Sequence, residues 1–299
     1  MTAADDLVFD RSAEGAPGEP VRLSPLVRRV LAPNPSAFTF TGTQTHLVGH
    51  GRVAVIDPGP DDPAHVAALL AALRGEIVEA IVVTHTHRDH TGAVAALAAE
   101  TGAPVVGCAP MVHGEGGVRL DAGGDSSYRP ARILADGEAV AGPGWTLTAV
   151  ATPGHTSNHL AFALAEEAAL FSGDHVMAWS TTVVAPPDGD MASYRGSLDK
   201  LINRPEDLYY PAHGPAKSEA RAYVAGLLKH RRFREAQIVA RLKAGDRAIP
   251  AIVAALYRGL DPRLVPAAGM SVLAHLRDLE ARGIVAAAGE GAAAAYRLT

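Results

Sequence analysis

Residues 84–92 read THTHRDHTG, which sets His85, His87, Asp89 and His90 within six positions. Side chains two apart leave a strand on the same face, so His85 and His87 at a strand end grip one ion together. Asp89 and His90 fall where the chain turns into a helix, and so face a second ion a few ångströms away. Imidazole and carboxylate donors without a thiolate suit Zn²⁺, Fe²⁺ or Mn²⁺ at a hydrolytic centre, not a closed structural zinc cage. The expected cofactor is a pair of divalent ions, zinc first, with manganese or iron accepted by the same donors.

Outward from the cluster, residues 79–85 (EAIVVTH) read as a buried strand entering it and residues 92–101 as an Ala-rich helix leaving it. Residues 46–59 give two strands around a glycine turn, closed by Asp57-Pro58-Gly59, and residues 61–73 a helix with Pro63 in its first turn. Further strands are expected at 103–107, 146–154 and 208–214, with a hairpin at 159–174 and a helix from about Ser193. Strands alternating with helices imply a layered α/β core. Residues 114–130, rich in glycine, charge and proline, read as a long loop or flap. From about Ser218 the pattern is nearly all helix and ends in a short hairpin.

The 299 residues, 48% hydrophobic and 20% charged, fit a globular protein with one large domain and an appendage. No apolar run approaches the roughly 20 residues of a membrane helix. The start, MTAADDLVFD, lacks the positive region and apolar core of a secretory signal. Cys108 is the one cysteine, so no internal disulfide forms; it reads as a small buried hydrophobe, and a cytoplasmic location is expected. The net charge of −5 hides an asymmetry. Residues 215–299 carry 14 Lys+Arg against 7 Asp+Glu, a balance of +7, which leaves −12 on residues 1–214. An acidic, metal-bearing part followed by a basic helical tail implies two domains, 1–225 and 226–299.

Further donors recur at strand ends. His155 follows Pro153-Gly154, Asp174 ends another strand, and His213 ends the last. The expected arrangement gives His85, His87 and His155 to one ion and Asp89, His90 and His213 to the second, with Asp174 bridging. Asp57 is expected to orient a ligand, and Thr84 and Thr156 to brace the ligand loops. His159 either hydrogen-bonds a ligand or substrate, or is an ordinary strand histidine. His175 is expected to point away from the site. Arg231 and Arg234, three apart on a helix, either contact phosphates or dock the two domains by pairing with acids.

THTHRDHTG, TPGHT (152–156), SGD (172–174) and AHG (212–214), in this order, resemble the metallo-β-lactamase superfamily. GTQTHLVG (42–49) and IDPG (56–59) resemble its opening strands. The resemblance implies an α/β, four-layer αββα sandwich with the metals at one edge. It also makes β-lactam hydrolysis a less favoured reading, because β-lactamases of that fold generally lack an aspartate where Asp174 stands. Glyoxalase II-like hydrolases and nuclease branches have one. Residues 229–242 and 269–285 resemble the tail of the beta-lactamase-like protein 2 group, an endoribonuclease-like branch. That implies a small, mostly helical, winged-helix-like C-terminal domain. Two departures stand out: His46 replaces a usual aromatic, and the 114–130 loop is longer and more polar.

The expected chemistry is binuclear hydrolysis, in which a hydroxide shared by the two ions attacks phosphorus or a carbonyl and Asp89 orients it. The leading substrate reading is single-stranded RNA, with Lys229, Arg231, Arg232 and Arg234 on its phosphates. The alternative is a small-molecule ester, thioester or lactone, which the acidic body suits better. A third reading is a regulator whose tail binds duplex DNA while the site senses a metal.

Overall fold

The first sheet grows from β-branched runs that bury both of their faces. In the computed structural model, which describes residues 7–13, 15–111, 123–289 and 293–299, it holds seven strands in sequence order. They are β1 (Pro20–Arg22), β2 (Val27–Leu31), β3 (Gln44–His50), β4 (Arg52–Ile56), β5 (Ile77–Val83), β6 (Val105–Gly107) and β7 (Arg132–Ile133). Pairing is antiparallel from β1 to β4 and parallel from β4 to β7. Parallel neighbours need crossovers. Two of these carry helices: α1 (Pro63–Ala72), then the single turn α2 (Arg88–Thr91) followed by α3 (Val94–Thr101). Asp62 caps α1 by accepting the His65 N–H at 2.9 Å, and Pro63 lies in its first turn, where its missing donor is harmless.

The second sheet runs in the order β13-β12-β11-β10-β9-β8, from β8 (Ala139–Gly142), β9 (Trp145–Ala151), β10 (Leu160–Leu164), β11 (Ala169–Gly173), β12 (Leu208–Pro211) and β13 (Lys217–Ser218). Its one parallel pair, β11 with β12, is bridged by α4 (Met191–Ile202). β10 shows how alternation builds the layers. Leu160, Phe162 and Leu164 join Leu47, Val55 and Ile81 between the sheets, while Ala161 and Ala163 turn outward to Tyr194, Leu198 and Val224. Burying Leu147, Phe162 and Phe171 contributes about 1.5–3 kcal/mol each. The result is the expected αββα sandwich. His46 fills an aromatic's place in it, its ring 5.1 Å from Phe171 and 5.9 Å from Tyr210. Burial, helped by Arg29, pushes its imidazole down to about 3. Cys108 is fully buried, and burial pushes its thiol up.

The next helix, α5 (Ala220–Lys243), runs unbroken through residue 225, so the expected junction falls inside it. Its first turns (Ala220, Tyr223, Val224, Leu227) pack on the second sheet. Its last turns (Ile238, Leu242) join α6 (Ile249–Leu256), α7 (Val265–Ala281) and the hairpin of β14 (Val285–Ala288) and β15 (Ala295–Leu298). Ion pairs clamp this module to the sandwich. Arg195 of α4 reaches Glu235 and, at 2.5 Å, Asp278; Arg282 meets the same two acids at 2.6 and 3.1 Å. From Ala267 to Leu276 no residue of α7 is exposed. Among the described residues no helix is long and apolar enough to cross a membrane.

Candidate metal centre

β5 ends at Val83 and delivers Thr84 and His85 to the edge of the sandwich, and the turn into α2 then carries His87, Asp89 and His90 to the same spot. His155 reaches it from the loop after β9. Gly154 has a φ of +138°, and a Cβ there would lie 2.3 Å from the Tyr194 Cα, so only glycine lets the loop pass under α4. Asp174 follows β11 and His213 follows β12, as expected for strand ends.

Two groups of donors result: His85, His87, His155 and Asp174, and Asp89, His90 and His213. In the first, His87 Nδ1 lies 3.0 Å from His85 Nε2 and 3.1 Å from His155 Nε2. In the second, Asp89 Oδ2 lies 3.2 Å from His213 Nε2 and 3.5 Å from His90 Nε2. The Asp174 carboxylate stands between the groups. It is 3.6 Å from both His155 and His90, 3.3 Å from His213 and 3.9 Å from His85. Four donors about a zinc at roughly 2.0–2.1 Å sit roughly 3.3 Å apart, which is the spacing seen. His90 Nε2 and Asp174 Oδ1 are buried without a hydrogen-bond partner, as atoms reserved for a cation would be. The residues therefore fit a divalent pair.

The surroundings fix which ring nitrogen faces inward. His155 Nδ1 donates to the Val183 carbonyl at 2.7 Å, His90 Nδ1 to Asp57 at 2.9 Å, and His213 Nδ1 to the Gly42 carbonyl at 3.3 Å. The Thr84 hydroxyl donates to Asp57 at 2.7 Å, so it accepts from His85 Nδ1 at 3.0 Å. In all four, Nε2 is left to bind metal. Asp57 thus accepts from both His90 and Thr84. His159 lies behind Asp174. Its Nε2 accepts the Asp174 backbone N–H at 3.2 Å and its Nδ1 donates to Thr152 at 2.8 Å, so it holds Asp174 in place. His175 packs its ring against Tyr194, away from the donors. Residues missed by sequence reasoning also serve the site. Thr43 donates to Asp89 at 3.4 Å and Thr182 to the Asp174 carbonyl at 2.7 Å; hydroxyls without a motif give no signal in one sequence. Of the expected flap, 114–122 lie outside the described residues. Its described end is pinned to the motif, with Asp125 N–H donating to the Thr86 carbonyl at 2.7 Å.

Arg231 is 3% exposed, donates to the Thr182 carbonyl and stacks on Tyr194. It docks the module through a carbonyl, not through the acids expected. Arg234 stacks on Tyr257 at 4.3 Å and hydrogen-bonds Gln237 and the Leu256 carbonyl within the C-terminal module.

Burial alone would push the His213 imidazole down, but Asp174 and Asp89 outweigh it and raise it to about 10. His90 is raised well above the usual range by Asp89, Asp174 and Asp57 against the same burial. Metal must therefore displace protons, and loading at pH 7 is expected to release at least one per chain, measured by calorimetry in buffers of different ionisation enthalpy. The sign follows for the metal-free protein. The His213 contribution to stability is complete below pH 6.5 and lost as pH rises through about 10, so its melting temperature should fall across that window. A flat melting profile there would count against the protonated pair.

Residues 39–213 match the Metallo-beta-lactamase superfamily, and residues 248–293 match the Beta-lactamase associated winged helix domain. The chain is 33% identical to a Beta-lactamase-like protein 2 homolog of Drosophila melanogaster, over 88% of this chain and 90% of that one. It is 34% identical to an Atrochrysone carboxyl ACP thioesterase of Aspergillus chevalieri, over 74% of this chain and 67% of that one. A Beta-lactamase domain protein from Burkholderia ambifaria has the same fold, with a TM-score of 0.80 at 21% identity, over 100% of this chain and 99% of that one. The chain belongs to the metallo-beta-lactamase superfamily, as a metallo-hydrolase with a beta-lactamase-associated winged helix domain.

Proposed function

We propose that the chain hydrolyses the thioester or ester bond of a small acyl substrate at a binuclear metal centre. The observation that carries this reading is the charge of −12 on residues 1–214, which hold all seven candidate metal donors. The third helix of a winged-helix DNA binder reads the groove with an exposed face. Here α7 has no exposed residue from Ala267 to Leu276. Lys229 and Arg232 stay exposed, but all seven metal donors lie in the segment of charge −12, which repels a polyanion. A small acyl substrate needs no phosphate grip, and the thioesterase among the relatives supports the same class.

Two divalent ions on the two donor groups would acidify a water molecule and polarise the carbonyl oxygen. Asp89 accepts a hydrogen bond from the attacking water. Burial would raise its carboxyl, but His90 and His213 hold it well below the usual range, so it stays ionised. Asp57 and His159 keep His90 and Asp174 in register.

The test is a substrate panel on metal-loaded protein: an aryl thioester, S-lactoylglutathione, homoserine lactone, nitrocefin and single-stranded RNA. The thioesters should lead in kcat/KM by roughly two orders of magnitude. RNA cleavage that outpaces every thioester and weakens steeply with salt would overturn the proposal.

A further inference from the structure

We infer that the cleft between the sandwich and the winged helix domain seats the acyl group, and that it selects an apolar acyl group bearing a distal carboxylate. The inference rests on the thioester or ester reading above. The cleft encloses about 310 Å³, near the lower end of small-ligand sites, which run from roughly 300 Å³. Phe38 and Trp179 from the sandwich face Tyr257, Leu260 and Leu264 from the C-terminal module, an apolar lining with flat rings.

The charge of this lining sets the ligand's polarity. Arg231, Arg234 and His230 border the cleft, and no Asp or Glu does among the described residues, in a chain with 32 of them. Arg231 Nε and Trp179 Nε1 are buried donors without a hydrogen-bond partner. Cations and spare donors in an apolar recess favour a ligand with an anionic oxygen and a hydrophobic body.

Continuity with the metal centre sets what the ligand is part of. Two loops line the cleft with one side and hold metal donors with the other. In the loop after Asp174, Thr182 and Val183 border the cleft, while the Thr182 hydroxyl fixes the Asp174 carbonyl and the Val183 carbonyl holds His155. Trp179 of that loop packs on Gly214, beside His213; a Cβ there would lie 2.5 Å from the Trp179 ring. In the loop before β3, Ala37 and Phe38 border the cleft, and Thr43 donates to Asp89. A group seated in the cleft therefore abuts the walls of the reaction centre.

Calorimetric titration of the full-length, metal-loaded protein with 2-naphthoate and with uncharged 2-naphthamide tests this. Naphthoate should bind about tenfold more tightly than the amide. Arg234→Gln should erase that preference, and Leu264→Trp, which fills the cleft and removes no charge, should weaken both probes. Metal content and thermal melts confirm that each variant is folded and loaded; should Arg234→Gln fail to fold, Leu264→Trp decides. Equal binding of acid and amide, or naphthoate binding that neither variant changes, as expected if it binds only at the metals, overturns the inference. If the variants behave as expected while no thioester or ester is turned over, the reaction proposed above falls and the cleft stands as a carboxylate site. If thioesters are turned over while both probes ignore the variants, the reaction stands and the cleft assignment falls.

Discussion

Asp174→Ala is expected to lower kcat on the best panel substrate by at least three orders of magnitude, about 4 kcal/mol of transition-state stabilisation. The size follows from position. One carboxylate lies within 3.3–3.9 Å of His85, His90, His155 and His213, so its loss removes the anion shared by both donor groups. The fold should survive, because β11 and β12 pair through their own backbones and His159 still accepts the backbone N–H of residue 174. Near-normal turnover in a folded Asp174→Ala protein would show that the two groups do not act as one centre. Asp174→Glu, which keeps the charge but lengthens the arm, should recover part of the metal affinity.

Asp57→Ala is expected to act on the fold itself, costing about 3–5 kcal/mol in denaturant unfolding even after metal removal. Asp57 is 2% exposed and accepts from the Thr84 backbone at 2.8 Å, the Thr84 hydroxyl at 2.7 Å and His90 Nδ1 at 2.9 Å. Substitution strands three buried donors, each with its desolvation cost. His87→Ala makes the contrast. It removes a donor at the rim and should leave unfolding of the metal-free protein nearly unchanged while abolishing hydrolysis. If Asp57→Ala unfolds like the parent protein, Asp57 merely neighbours the site.

The donors were legible because metal chemistry leaves short, dense signatures. His85, His87, Asp89 and His90 follow from one strand-to-helix turn, and His155, Asp174 and His213 from strand ends marked by glycine. The alternation along β10 likewise shows in the residues as bulky side chains between alanines. What was not legible depends on long-range packing. Arg231 and Arg234 look like phosphate ligands in a basic helix, and only the docking of α5 and α7 against α4 reveals one buried and the other stacked on Tyr257. The charge change that suggested a boundary near residue 225 is real, yet α5 carries the backbone straight across it, because its two halves pack on different cores. Thr43 and Thr182 serve the site through single hydroxyls contributed by loops remote in sequence.

The winged helix domain gains a different meaning from this packing. With α7 closed from Ala267 to Leu276 and the Arg195, Glu235, Asp278 and Arg282 cluster tying it to α4, the domain packs against the sandwich.

Elemental analysis after reconstitution with zinc, manganese or iron tests the central claim most directly. The purified wild-type chain should hold two divalent ions, and Asp174→Ala fewer, with hydrolysis following occupancy. A fully active chain holding one ion or none, or an Asp174→Ala chain holding two at unchanged affinity, would contradict a centre built on two donor groups around Asp174.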